Sequence, residues 1–224
     1  MKRVDEASRR RILQRAAAMG AVVLAAPWRA ALASLVPTPA QTSGPFYPDP
    51  VPLETDGDLT MLKGATERAS GDVIVVTGRL LDRDGKPVPN ATVEIWQANA
   101  HGRYAHPRDV NTAPLDPHFQ GYARLTTDAE GRYRFKSIKP GAYPMNPMNP
   151  VAVRPPHIHF DVEAKGRHLV TQMYFPGESL NDSDGIFNSL GNKKQATIAQ
   201  VLAPTSDIGA GETLYGWDIV LGKG

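Results

Sequence analysis

No cysteine occurs among the 224 residues. Disulfides, thiolate metal sites and cysteine nucleophiles are excluded, and a bound metal would have to take nitrogen and oxygen ligands. Long hydrophobic runs are also missing. The apolar stretch from Ala16 to Pro27 falls well short of the ~20 residues that span a bilayer, and Arg29 places a charge just beyond its end. Neither sign of charge dominates, with 25 Lys and Arg against 23 Asp and Glu.

What is present at the N-terminus reads as an export signal over residues 1–33, with an amphipathic helix or a membrane anchor as the alternatives. Met1-Lys2-Arg3 and Ser8-Arg9-Arg10-Arg11-Ile12-Leu13 form a basic region of twin-arginine type, and Ala31-Leu32-Ala33 offers a cleavage site. Export of an already folded protein suits one that acquires a cofactor in the cytoplasm, and implies a periplasmic or secreted product with no stable membrane association. Removing residues 1–33 lowers the net charge by five, from +2 to −3. The apparent basicity thus belongs to the signal, and nothing in the remainder suggests nucleic-acid binding.

Residues 34–72, rich in Pro, Gly and Thr, read as an extended arm that wraps the domain, or else as a flexible linker. Residues 73–224 read as one all-β domain, an antiparallel two-sheet β-sandwich. Val73–Leu81, Ala91–Ala98, Ala123–Thr127 and Arg132–Ile138 carry strand patterning, and the turns Asp82–Pro87 and Asp128–Gly131 predict two hairpins. Further strands are expected at His157–Val162, Leu169–Tyr174 and Gly216–Leu221, and a short helix over Lys193–Leu202. Long segments without strand character, Asn99–Gly121 and Lys139–Pro156, separate the hairpins; such loops are usually functional.

Arg154-Pro155-Pro156-His157-Ile158-His159-Phe160 carries the sharpest chemistry. Prolines bar a helix interior there, and side chains two apart on a strand share a face, so His157 and His159 can offer two imidazoles to one ion. Tyr104, Tyr122, Tyr133 and Tyr143 could add phenolate oxygen, which binds only beside a strong cation. Loop placement favours Tyr104 and Tyr143 without deciding among the four. Two nitrogens and phenolate oxygens suit ferric iron. A copper or cupin-type oxidase remains open if His106, His118 or His168 completes the set, as does a non-catalytic transthyretin-like or carbohydrate-binding sandwich.

A resemblance narrows this. Gly78–Asp82 with Pro87–Ala91, Val93–Ala100 running into Gly102-Arg103-Tyr104, Phe119–Tyr122, Thr127–Tyr133, Lys139–Pro144, Arg154–Phe160 and Thr171–Phe175 resemble, in order, the intradiol ring-cleavage dioxygenases, in type the catalytic (beta) subunit of protocatechuate 3,4-dioxygenase. The resemblance implies a Fe(III) cofactor held by Tyr104, Tyr143, His157 and His159. Tyr143 would be the ligand that substrate displaces, and Arg154 the cation that stabilises charge on the ring. Gln172 would lie near the reaction, and Phe46 and Tyr47 would form a substrate-proximal arm. It implies a catechol-type substrate and O2, a cis,cis-muconate product, and a homo- or hetero-oligomer. The run Met145-Asn146-Pro147-Met148-Asn149-Pro150 departs from the protocatechuate enzymes, which carry a tryptophan soon after the displaced tyrosine. That departure argues against protocatechuate itself. Arg103, Arg108 and Lys139 are the candidate partners for a substrate carboxylate.

Overall fold

Side-chain alternation along His157–Ala164 decides how the molecule is layered. Ile158, Phe160 and Val162 are fully buried in the main apolar core, while His157 and His159 point to the opposite face. The computed structural model describes residues 35–146 and 152–222. The export signal expected over 1–33 and most of the loop after Tyr143 lie outside the described residues.

Eleven strands are described: β1 (Val73–Leu81), β2 (Thr92–Trp96), β3 (Tyr122–Thr126), β4 (Arg132–Ile138), β5 (Tyr143–Pro144), β6 (Val153–Arg154), β7 (His157–Ala164), β8 (Arg167–Tyr174), β9 (Gln200–Val201), β10 (Thr213–Gly216) and β11 (Ile219–Val220). One sheet has the order β3-β2-β7-β8 and is antiparallel throughout. The other gathers β4, β9, β10 and β11 around β1. This second sheet is mixed: β1 runs antiparallel to β4 but parallel to β10 and β11. The two sheets pack face to face through Ile74, Val76 and Phe135 on one side and Ile95, Ile158 and Phe160 on the other. Each such side chain contributes roughly 1.5–3 kcal/mol by leaving water. The expected all-β sandwich is therefore what forms.

The two expected hairpins do not form. β1 and β2 lie in different sheets, as do β3 and β4. The turn after β1 begins as a hairpin, with Asp82 N–H donating to Lys86 O and a bridge between Leu81 and Pro87. Pro87 and Pro89 then cannot donate to a ladder, and Asn90 adopts a left-handed φ of 56°. The chain is thereby turned across to the opposite sheet. The tight hairpin lies between β7 and β8 instead, where Lys165 and Gly166 both have positive φ, 50° and 74°.

Two smaller expectations also change. Lys193–Leu202 is a 3-10 turn over Gly191–Thr197 followed by β9, and a four-residue helix α1 (Gly185–Asn188) precedes it. The segment Lys139–Pro156 is not free of strand, because β5 and β6 pair as a two-residue ribbon that sets Tyr143 opposite Arg154.

The stretch before β1 lies along the body. Thr38 N–H donates to Val220 O, Gln41 N–H to Val170 O and Leu59 N–H to Lys136 O.

Candidate metal centre

The site grows from the outer face of the β3-β2-β7-β8 sheet. Residues directly opposite on neighbouring strands share a face, and the register sets Trp96 opposite His159, His159 opposite Gln172, and His157 opposite Tyr174. One end of that face is therefore paved with functional side chains. Trp96 lies flat on His159 with ring centroids 4.8 Å apart.

Tyr104 and Tyr143 arrive from the two long loops, and two glycines let those loops meet. A Cβ on Gly102, whose φ is +76°, would lie 2.2 Å from Ala142 O; one on Gly141 would lie 2.4 Å from Ala100 O. Gly141 N–H donates to Asn99 O, and the Tyr104 amide donates to the buried Asp109 carboxylate at 2.7 Å. The two phenol rings meet edge to face at 5.5 Å.

Four donor atoms converge. His157 Nε2 lies 3.2 Å from His159 Nε2 and 3.4 Å from Tyr143 Oη, and His159 Nε2 lies 3.1 Å from Tyr104 Oη. His157 Nδ1 is 2.7 Å from Pro155 O. A carbonyl oxygen only accepts, so Nδ1 carries the proton and the Nε2 lone pair faces the cluster. Burial, reinforced by Arg154, drives the His157 pKa well below its usual range and that of His159 down to about 3, so both imidazoles are neutral. Burial also pushes the Tyr104 and Tyr143 phenols up. Two neutral imidazoles, one with its Nε2 lone pair fixed inward, and two phenols that need a cation to ionise make a donor set that fits a hard metal ion such as ferric iron.

The remaining expected residues fall into place unevenly. Arg154 is buried; its Nη2 donates to Gln172 Oε1 at 2.7 Å and to Tyr174 Oη at 3.2 Å. Phe46 packs on Tyr104 with centroids 4.8 Å apart. Tyr47 sits behind Trp96 and donates its hydroxyl to Glu94 at 2.7 Å; burial and that carboxylate push its pKa up to about 12. None of His106, His118 or His168 joins the cluster among the described residues: His118 pairs with Glu67, His168 pairs with Asp161, and His106 Nδ1 accepts from Arg108 N–H. Tyr133 is in the core with its hydroxyl on Trp217 O. Tyr122 lies beside Tyr47, away from the donor atoms. Arg103 donates to Ala113 O and Lys139 pairs with Glu178 at 2.6 Å, so both are engaged away from the cluster.

Sequence reasoning missed Trp96, Tyr174, Gln41 and Asp184. Two-residue alternation from His159 and Gln172 could have found the first two. Gln41 donates to Gln172 O and accepts from Tyr174 Oη, a link across more than a hundred residues with no local signal. Asp184 Oδ1 lies 3.1 Å from Arg154 Nε, off the N–H direction, so the contact is an ion pair rather than a hydrogen bond.

A cavity of about 270 Å³ adjoins the cluster, walled by Phe46, Trp96, Tyr104, His106 and Tyr122 among others. A larger one, about 500 Å³, opens beside Arg79 and Trp217 and contains none of the converging donors, so the chemistry points to the smaller.

Comparison with known proteins identifies the family. Residues 42–223 match the family model described as Dioxygenase. The chain is 57% identical over 134 residues to the protocatechuate 3,4-dioxygenase beta chain of Burkholderia cepacia, covering 59% of this chain and 57% of that one. It is 35% identical over 155 residues to a hydroxyquinol 1,2-dioxygenase of a Rhizobium species, covering 64% of this chain and 50% of that one. The chain thus spans about half the length of these relatives. Among solved structures, the dioxygenase domain of a dioxygenase carbohydrate-binding protein fusion from Streptomyces sp. SirexAA-E superposes with a TM-score of 0.61 at 27% identity, covering 83% of this chain and 98% of that one. A family model matched over residues 42–223, together with relatives that are ring-cleaving dioxygenases, places the chain in the intradiol ring-cleavage dioxygenase family.

Proposed function

We propose that the protein is a non-haem iron enzyme that inserts both atoms of O2 between the two hydroxyl-bearing carbons of a catechol-type aromatic, giving a cis,cis-muconate. The observation that carries the reading is the convergence of Tyr104 Oη, Tyr143 Oη, His157 Nε2 and His159 Nε2. A ferric ion held by these four residues would supply a Lewis acid that binds a deprotonated catechol and lets it react with O2.

The chain's own residues supply the rest. Tyr104 and Tyr143 are both buried, and it is the family resemblance that would make Tyr143 the phenol an incoming ring displaces. Its oxygen then takes one of the catechol protons locally. Tyr104 stays fixed by the Asp109 clamp on its amide. Arg154 cannot lose its proton at working pH and stabilises anionic charge that develops on the ring. Phe46 and the adjoining arm close the cluster to water; a Cβ on Gly44 would come within 3.4 Å of the His159 ring. The neighbouring cavity exceeds the ~150 Å³ that holds one benzene ring in an engineered core.

The test is iron analysis with a visible spectrum, followed by oxygen uptake with catechol, protocatechuate and hydroxyquinol and identification of the product. A phenolate-to-iron band and a cis,cis-muconate are expected. Bound iron without a visible band, or cleavage outside the two hydroxyls, would overturn the reading.

We further propose that residues 1–33 direct twin-arginine export, on the strength of Arg9-Arg10-Arg11-Ile12-Leu13. Replacing Arg9, Arg10 and Arg11 with Lys should strand the protein in the cytoplasm; undiminished export would reject this. Four donors from one chain need no partner to complete the cluster, and any oligomer forms around an intact site.

A further inference from the structure

Arg154 is a buried cation, and the carboxylate that meets it comes from a segment no motif marks. Asp184 is 2% exposed. It follows the 3-10 turn Ser179–Ser183 and N-caps α1 (Gly185–Asn188), with Oδ1 accepting from Ile186 N–H and Oδ2 from Phe187 N–H, each at 3.3 Å. The other side of the same carboxylate faces the guanidinium, with Nε 3.1 Å from Oδ1 and Nη2 3.3 Å from Oδ2. The side chains of Arg154 and Asp184 are 5% and 1% exposed, so the pair is nearly dry.

Such a pair does more than satisfy charge. A carboxylate pinned by two backbone amides cannot swing, and it restrains the guanidinium through one hydrogen bond from Nη2 and an ion-pair contact at Nε. Gln172 Oε1 and Tyr174 Oη hold Nη2 from a second direction. The ribbon of β5 and β6 then sets the arginine backbone opposite Tyr143. We propose that Asp184 is a positioning residue for ring cleavage: it neutralises Arg154 in the resting site and restrains its guanidinium beside the displaceable tyrosine. The catalytic part rests on the proposed function; the pairing itself does not.

The plain alternative is that Asp184 only caps α1. Asparagine caps a helix as well as aspartate does but carries no charge, so Asp184→Asn separates the two roles. The experiment is a double-mutant cycle of Asp184→Asn with Arg154→Gln, read in two ways. Urea midpoints are measured on metal-free protein, and iron content, kcat per iron and KM for catechol on the loaded protein. With Asp184 as a positioning residue, Asp184→Asn loads iron as wild type does, leaves KM no higher, and lowers kcat per iron on the order of 10–100-fold. In the Arg154→Gln background the same change has little further effect on kcat and shifts the urea midpoint less than it does in wild type. Full kcat per iron in Asp184→Asn, or equal costs in both backgrounds, would overturn the proposal. A wild-type protein that cleaves no catechol would overturn the proposed function instead, and the metal-free cycle would then decide the pairing alone: coupling supports it, additivity rejects it.

Discussion

The Trp96 indole lies parallel to the His159 imidazole, 7° between planes and 4.8 Å between centroids, because the two residues sit opposite each other on β2 and β7. The indole is a plate that fixes the direction of a donor nitrogen. Removing it opens space on one side of His159 and lets the imidazole tilt. Trp96→Ala should cost about 3–5 kcal/mol by urea unfolding and weaken iron retention against a chelator on the order of 10–100-fold. Trp96→Phe keeps an aromatic plate and should retain iron far better. Equal retention in Trp96→Ala and wild type would show that the stack does not orient the ligand.

How much of this could be read from the chain varies with distance in sequence. His157 and His159 are legible because strand alternation is a local rule, and the structure accordingly turns Ile158 and Phe160 to the opposite, core side. The two hairpins were misjudged because turn chemistry at Asp82 and Asp128 speaks only of the first hydrogen bond after the strand. Whether the next residues stay in the sheet depends on Pro87, Pro89 and the facing layer. Tyr104 and Tyr143 were separable from Tyr122 and Tyr133 by loop placement and resemblance, not by physics. Asp184 and Gln41 were invisible, since each reaches the site through tertiary contacts from elements with no marked pattern.

Iron binding should release protons, and the source of those protons is specific. Both imidazoles are already neutral, His159 with a pKa of about 3, so they have none to give near neutral pH. Tyr104 and Tyr143 are held protonated by burial, and each must lose a proton to bind as phenolate. Protons appear on the product side, so apparent iron affinity rises as pH rises and falls as pH falls. Chelator competition between pH 6 and pH 8 measures this on the order of one decade per unit for each proton released. Tyr143→Phe should show a slope smaller by one proton. An unchanged slope in that variant would mean that Tyr143 does not bind as phenolate.

Gly141 tests how the two tyrosine loops are brought together. Any side chain there meets backbone: a Cβ would approach Ala100 O at 2.4 Å and Gly102 N at 2.5 Å, and neither atom can rotate away. The loops must separate to admit even a methyl group, and overpacking of this kind costs typically 1–3 kcal/mol. Gly141→Ala should therefore lower the melting temperature and also move Tyr143 relative to Tyr104. The visible band should lose intensity per chain even where the protein stays folded. Gly185→Ala is the control, because nothing lies within 4 Å of a Cβ there. A normal band in Gly141→Ala would show that the loops have slack.

The arm gives the last test, at Gln41. Its amide nitrogen donates to Thr171 Oγ1 at 3.2 Å and to Gln172 O at 3.1 Å, and its Oε1 accepts from Tyr174 Oη at 3.0 Å. Gln172 Nε2 in turn donates to Thr42 O at 2.8 Å. Gln41→Ala removes one of the two acceptors within reach of the Tyr174 hydroxyl, leaving Gln172 Oε1 at 3.1 Å, and takes a donor from Gln172 O, at a cost of about 0.5–1.5 kcal/mol for each hydrogen bond lost. Tyr174 and Gln172 both hold Arg154, so the loss should reach turnover while sparing the iron donors, none of which touches Gln41. Iron content should stay at the wild-type level and kcat per iron should fall, with Gln41→Glu restoring the acceptor but not the donor and recovering only part. A Gln41→Ala protein that loses iron in proportion to activity would place the arm's role at the metal rather than at the arginine.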